Sequence, residues 1–176
     1  MRIETDDIVL RPWERGDTDA LIRHGNNPKI ARNLSDRFPE PLDQAAAKVW
    51  LDICTEEDPV ESRAILYRDE VVGGCVCRPR KGEFRRTLGL GYWVGEAYWG
   101  RGIATRVVCA LVDHGFRNTD AVRIEAEALG WNAASARVLE KAGFTLEGRL
   151  RNKAYKHGAL TDLLHYGILR EEWAAR

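Results

Sequence analysis

The stretch Tyr98-Trp-Gly-Arg-Gly-Ile-Ala-Thr-Arg-Val107 has the residue types of an anion cradle. A strand-like segment, Leu88 to Val94, leads into it, and a helix-like segment, Ile103 to Phe116, leads out. Strand, small-residue turn and helix start together aim unpaired backbone N–H groups and the positive end of a helix dipole at one point. A phosphate is the natural occupant. Gly100, Gly102 and Ala104 carry little or no side chain, so an anion can come close to the backbone. A dinucleotide fingerprint would need a third glycine, and a nucleotide-triphosphate loop would need Gly-Lys-Ser/Thr; the sequence has neither. The competing reading is a purely structural turn.

A second group follows at Asn132-Ala-Ala-Ser135, continuing to Glu140-Lys-Ala-Gly-Phe144. Asn132 reads as a helix N-cap, Gly143 as a left-handed stop and Phe144 as the apolar residue that follows such a stop. Ser135 is then the third helical residue, a place where a small polar side chain needs no special role. Glu125 and Glu127 alternate onto one face of a strand, where carboxylates are usually solvated or salt-bridged. His24, His114 and His165 have no ligand spacing, and no second cysteine pair accompanies Cys75 and Cys77, so no metal is expected. Cys54 and Cys109 complete a set that reads as reduced thiols.

The elements that must position these groups can be read in outline. Ile8 to Pro12 is a short strand, Asp17 to Asn26 a helix, and Leu42 to Cys54 a clearer helix on the spacing of Ala45, Ala46, Val49, Trp50 and Ile53. An irregular connector, Asn33 to Pro41, lies between the two. Ser62 to Tyr67 and Val71 to Arg78 make a hairpin; Thr87 to Val94 and Ala121 to Ala128 are further strands. Thr145 to Lys156 and Leu160 to Leu169 close the chain as a hairpin around His157-Gly-Ala159, with Arg149, Arg151, Lys153 and Tyr155 on one face. Those cations read best as protection of an edge strand. The whole is an α/β unit with an antiparallel first half and a βαβα centre.

Length and composition bound the answer. The 176 residues suit a single domain, residues 1–176, with 44% hydrophobic and 31% charged residues. Lys+Arg and Asp+Glu each total 27, so the net charge is zero and no global field favours nucleic acid or an anionic membrane. Anion binding must be local. The first residues carry no secretory signal pattern and the apolar runs are too short to span a bilayer, which together read as cytoplasmic.

Gly91-Tyr-Trp-Val94, the Tyr98–Thr105 turn and the Asn132–Phe144 segment together resemble the GCN5-related N-acetyltransferases (GNAT), and within them the RimJ/RimL-type subgroup. The resemblance is detailed from Val71 onward and follows element order alone before it. It implies a mixed, strongly twisted, seven-stranded sheet with helices on both faces, and acetyl-CoA as co-substrate where two parallel strands splay. Trp93 and Val94 would pair with the pantetheine arm. The turn Trp99, Gly100, Arg101, Gly102, Ile103, Ala104 and Thr105 would hold the pyrophosphate, although Trp99 departs from the family's usual first loop residue. Asn132 would bond pantetheine or water. Many relatives protonate the leaving thiolate with a tyrosine at the position of Leu139; Ser135 remains as the catalytic candidate. Dimerisation is expected by family analogy alone.

The acceptor is an amine, for which the resemblance points to protein N-termini and, in relatives, small amines. Backbone N–H at Val94 would polarise the thioester carbonyl. No general base stands out; Asp36 or Glu40 in the connector are candidates. Neutralising an α-amine (pKa about 8) at pH 7 costs about 1.4 kcal/mol, against about 4.6 kcal/mol for a lysine. A site without an obvious base therefore suits the α-amine. The alternatives are a polyamine, amino-acid or antibiotic acetyltransferase and, from another class, an acyl-CoA-binding sensor without catalysis.

Overall fold

Tight turns set the first half of the fold. In the computed structural model, which describes residues 2–175, β1 (Ile3–Thr5) turns at Asp6-Asp7 into β2 (Ile8–Pro12), with Thr5 opposite Ile8. β3 (Ser62–Tyr67) and β4 (Glu70–Pro79) are joined through Arg68 and Asp69, both left-handed at φ 53° and 66°, as the twist of a tight hairpin demands. β5 (Thr87–Val94), β6 (Arg123–Leu129), β7 (Thr145–Lys156) and β8 (Ala159–Leu169) complete a mixed eight-stranded sheet in the order β1-β2-β3-β4-β5-β6-β8-β7. The strand beyond the expected seven is β1, whose three residues are too few to show an alternating pattern in sequence.

The chain divides into two compact units, with β4 and β5 each running through both. One unit extends to Val76 and takes in Tyr92–Val107. It holds α1 (Thr18–Gly25), α2 (Pro28–Ala31) and α3 (Gln44–Thr55) around a core of Trp13, Leu21, Phe38, Leu42, Leu51 and Ala64. α3 forms where expected, capped by the Asp43 side chain, but its buried stripe is Ala47, Leu51 and Cys54. Val49 and Ile53 face outward, 61% and 59% exposed, because the helix carries two apolar stripes and only one can meet the core.

The other unit comprises Cys77–Gly91 and the chain from Val108. β6 pairs parallel with β5 from Thr87↔Arg123 to Leu90↔Ala126 and antiparallel with β8 over its whole length. Gly115 in α4 (Ile103–Asn118) lets that helix sit close: a Cβ there would meet Leu88 at 2.8 Å and Ile124 at 3.1 Å. Leu111, Phe116, Leu139, Phe144, Tyr166 and Ile168 fill the core. A short α6 (Arg170–Ala174), not expected from sequence, docks through Arg170, whose guanidinium donates to the carbonyls of Phe116, Thr119 and Ala121 at 2.7, 2.8 and 2.7 Å. All four cysteines are thiols. No helix among the described residues is long and apolar enough to cross a membrane.

Candidate active site

The anion turn has the backbone its sequence requires. Gly100 and Gly102 are left-handed, at φ 75° and 72°, and a Cβ on either would face open space. Conformation, not crowding, therefore demands glycine there. The first backbone bond of α4 runs from the Arg106 N–H to the Gly102 carbonyl at 3.2 Å. The amides of Ile103, Ala104 and Thr105 precede it, in the turn that has no acceptor within the helix. Arg101 and Gly102 are exposed, and the Arg101 guanidinium turns back over the Tyr98 ring at 5.2 Å and onto the Ala97 carbonyl at 3.2 Å. The turn thus offers amides and a helix dipole in place of a side-chain charge.

Upstream, the end of β5 is fixed on both sides. Gly95 donates to the Val72 carbonyl at 2.7 Å, and a Cβ on Gly73 would strike the Trp93 carbonyl and reach Val94 Cα at 3.0 Å. Trp93 and Gly95 therefore turn their peptides toward β4, and by strand alternation Val94 turns its own away. The Val94 carbonyl accepts the Trp99 indole N–H at 2.6 Å. Trp93 thus directs its backbone carbonyl to β4, and Trp99 reaches the strand end through its side chain. The Trp93 ring packs on Phe38 of the connector (centroids 5.7 Å apart), and Phe38 in turn meets Trp50 edge-on at 5.3 Å. The connector is thereby seated on the strand end.

In the other unit, α5 (Ala133–Lys141) begins at Asn132, whose side-chain oxygen accepts the Ser135 N–H at 3.2 Å. Asn132 is the cap expected from sequence, and Gly143, at φ 85°, is the left-handed stop. Phe144 N–H closes back on the Leu139 carbonyl at 3.0 Å. Ser135 is half-buried. Leu139 is fully buried in the core of its unit. Tyr166 from β8 is buried too and donates to Glu140 at 3.2 Å; burial, then this bond, pushes its phenol above the ordinary value.

Glu125 and Glu127 do share a face, and they are paired there. Glu125 accepts from Arg80 at 2.9 Å and lies 3.5 Å from Arg123, while His165 stands between the carboxylates, 3.4 Å from Glu125 and 3.5 Å from Glu127. Arg123 forks onto Glu147 and holds that carboxyl below its usual range. Two glycines make room for this layer: a Cβ on Gly89 would meet the Arg80 guanidinium at 2.9 Å, and one on Gly167 the Arg123 guanidinium at 2.5 Å. The cationic face proposed for β7 is interrupted, because its ladder with β8 slips between Leu150 and Ala154 and Asn152 is left-handed at φ 52°. Arg149 there is bound to Asp162 at 2.5 Å.

Sequence reading missed three features: the Trp99–Val94 bond, the seating of His165 and the helix α2. For α2 a signal existed, since Asn27-Pro28 is an N-cap followed by proline at the first helical position, and the Asn27 side chain accepts the Lys29 N–H at 2.9 Å. The first two depend on contacts that no local pattern encodes.

Comparison with known proteins is consistent with this geometry. The acetyltransferase (GNAT) domain family matches residues 7–145. An uncharacterised N-acetyltransferase, p20 of Bacillus licheniformis, is 29% identical over 173 residues, 97% of each chain. Spermidine N(1)-acetyltransferase of Escherichia coli (strain K12) is 23% identical over 96% of this chain and 89% of its own. Among solved structures, RimL, a ribosomal L7/L12 α-N-protein acetyltransferase crystallised with coenzyme A, superposes with a TM-score of 0.84 at 20% identity, covering 98% of this chain and 99% of its own.

Proposed function

This chain belongs to the GNAT acetyltransferase family, and from that premise we propose that it carries the acetyl group of acetyl-CoA to the N-terminal α-amine of a protein. The chain is an acetyltransferase and acetyl-CoA is its co-substrate. One observation carries the assignment of the donor site: the Trp99 indole ties the amide-rich helix start to the Val94 peptide at the end of β5. Pyrophosphate on the Arg101–Thr105 amides would then lie one short turn from the strand end that pairs with pantetheine. Val94, whose peptide points away from β4, supplies the N–H that polarises the thioester carbonyl.

In the reaction the neutral amine attacks the thioester carbon. A C–N bond forms, the C–S bond breaks, the amine gives up one proton and the departing thiolate takes one. We assign the second proton to Ser135, directly or through water, and assign Asn132 to hold that end of α5 in place. The pairing of Glu125 with Arg80, Arg123 and His165 favours an acceptor that needs little help to lose its proton, which is an α-amine. A second reading, a polyamine or other small amine, is supported by the similarity to the spermidine enzyme.

The deciding experiment is release of free CoA thiol with a panel of N-terminal peptides, spermidine and amino acids. Turnover on peptides above the small amines is expected; the reverse ranking would replace the protein acceptor with a small one. Stabilisation by acetyl-CoA without turnover on any amine would remove the catalytic reading in favour of a sensor.

A further inference from the structure

The corner between α1 and α2 is tied at several points to the turn that precedes the anion loop. Glu96 accepts from the Asn27 side-chain amide at 2.7 Å and from the Lys29 ammonium. His24, in the last turn of α1, is 9% exposed and lies under Gly95, where a Cβ would meet its Nδ1 at 2.9 Å. Its Nε2 is buried without a hydrogen-bond partner and stands 3.6 Å from Glu70. Tyr98 sits edge-on to the same imidazole, at 5.5 Å and 77°, and donates to Glu70 at 2.7 Å. The corner also holds the far end of the connector, since Asn26 accepts the Leu42 N–H at 3.1 Å. Six residues, 24–29, therefore grip the Gly95–Tyr98 turn on one side and, through Leu42, the end of the 33–41 connector on the other.

We propose that this corner is a clasp that positions the acetyl-CoA loop relative to the acceptor-side connector, with Glu96 and His24 as its positioning residues. The proposal rests on the functional reading above. Neither residue touches the reacting atoms; Glu96 acts through Asn27 and Lys29, and His24 through the Gly95 backbone. Because the turn and the connector share one support, loosening it weakens the donor and the acceptor sites together.

The test compares Glu96→Ala, Glu96→Gln and His24→Gln with the wild type. A fourth variant, Arg15→Ala, breaks an exposed ion pair with Asp52 in the same unit but leaves the corner intact. Glutamine at 96 keeps an acceptor for Asn27 and loses the charge facing Lys29. For Glu96→Ala, Kd for acetyl-CoA by calorimetry and KM for the acceptor should both rise, about tenfold, while kcat at saturation stays within about threefold. Glu96→Gln should recover part of that loss. His24→Gln should raise both constants in the same direction, and Arg15→Ala should leave both unchanged. Folded Glu96→Ala protein with wild-type Kd and KM overturns the proposal, as does an equal loss in Arg15→Ala, which would mean general loosening. A wild type that does not bind acetyl-CoA at all defeats the functional reading instead, and is recognised before any variant is made.

Discussion

The Trp99 indole N–H donates to the Val94 carbonyl at 2.6 Å, so a side chain from the anion turn closes onto the peptide that ends β5. Trp99 is 47% exposed. Trp99→Phe keeps the ring and removes the donor. A net hydrogen bond of about 1 kcal/mol predicts a rise in KM for acetyl-CoA of about fivefold, with kcat less affected. Steady-state kinetics at saturating acceptor would measure this, and an unchanged KM would show that the tie does not position the loop.

Asn132 and Ser135 can be separated experimentally, because the cap bond ends on the backbone N–H of Ser135 and not on its hydroxyl. Ser135→Ala leaves the cap in place and should lower kcat much more than it raises KM for acetyl-CoA. Asn132→Ala removes the cap and should cost about 1 kcal/mol of stability, or about 2–4 °C in Tm for a chain of this size. Full activity in Ser135→Ala would take the proton from Ser135 and give it to water.

His24 makes stability depend on pH in a window of its own. Burial is the largest influence and lowers its pKa from the ordinary 6.5, against a smaller opposing pull from Glu70; Arg23 adds to the lowering. A depressed folded-state value means that the unfolded chain binds the proton more readily, so stability is full above about 6.5 and falls as the pH drops through the folded value. Glu70 and Glu96, whose carboxyls are held below the ordinary 4.5 by Tyr98 and by Lys29 with Asn27 respectively, lose their contributions only at lower pH. Denaturant midpoints measured from pH 7.5 to 5 should decline in the wild type and flatten in His24→Gln. Parallel profiles for the two proteins would rule His24 out as the source.

Gly73 is held by contact and not by its dihedrals. A Cβ there has the Trp93 carbonyl in its way and Val94 Cα at 3.0 Å, both backbone atoms that cannot rotate aside. Gly73→Ala should destabilise the protein by about 2 kcal/mol or more, as overpacking does, and should weaken acetyl-CoA binding because the end of β5 must shift. Gly16→Ala, with nothing within 4 Å of the added methyl, is the matched neutral change. Equal thermal shifts for the two variants would mean that β4 yields easily.

The pattern of the site was legible where chemistry is local. Small residues after a strand and before a helix mark the left-handed turn at Gly100 and Gly102; Asn132, Gly143 and Phe144 spell out the ends of α5; both follow from backbone rules that act over a few residues. Part of what sequence could not resolve depends on partners far along the chain. Glu125 was expected to be solvated or salt-bridged, and it is salt-bridged, but its partners, Arg80 just past β4 and His165 on β8, could not be named from sequence. The spacing of Val49 and Ile53 predicted a helix, but periodicity marks a stripe and does not say which stripe the core will take, and these two face outward. β1 was invisible because three residues give no period.

The slip in β7 has a consequence for the chain in a crowded solution. β7 lies at the end of the strand order and is long, twelve residues, with Leu146, Leu150 and Tyr155 exposed. An uninterrupted edge of that length and character would be a template for uncontrolled strand addition and fibrous aggregation. The left-handed Asn152 and the shift in register between Leu150 and Ala154 break it into two short stretches, with Arg151 and Lys153 at the break. An incoming strand would meet only a few matched hydrogen-bonding groups before falling out of step, so the irregularity protects the solubility of the protein.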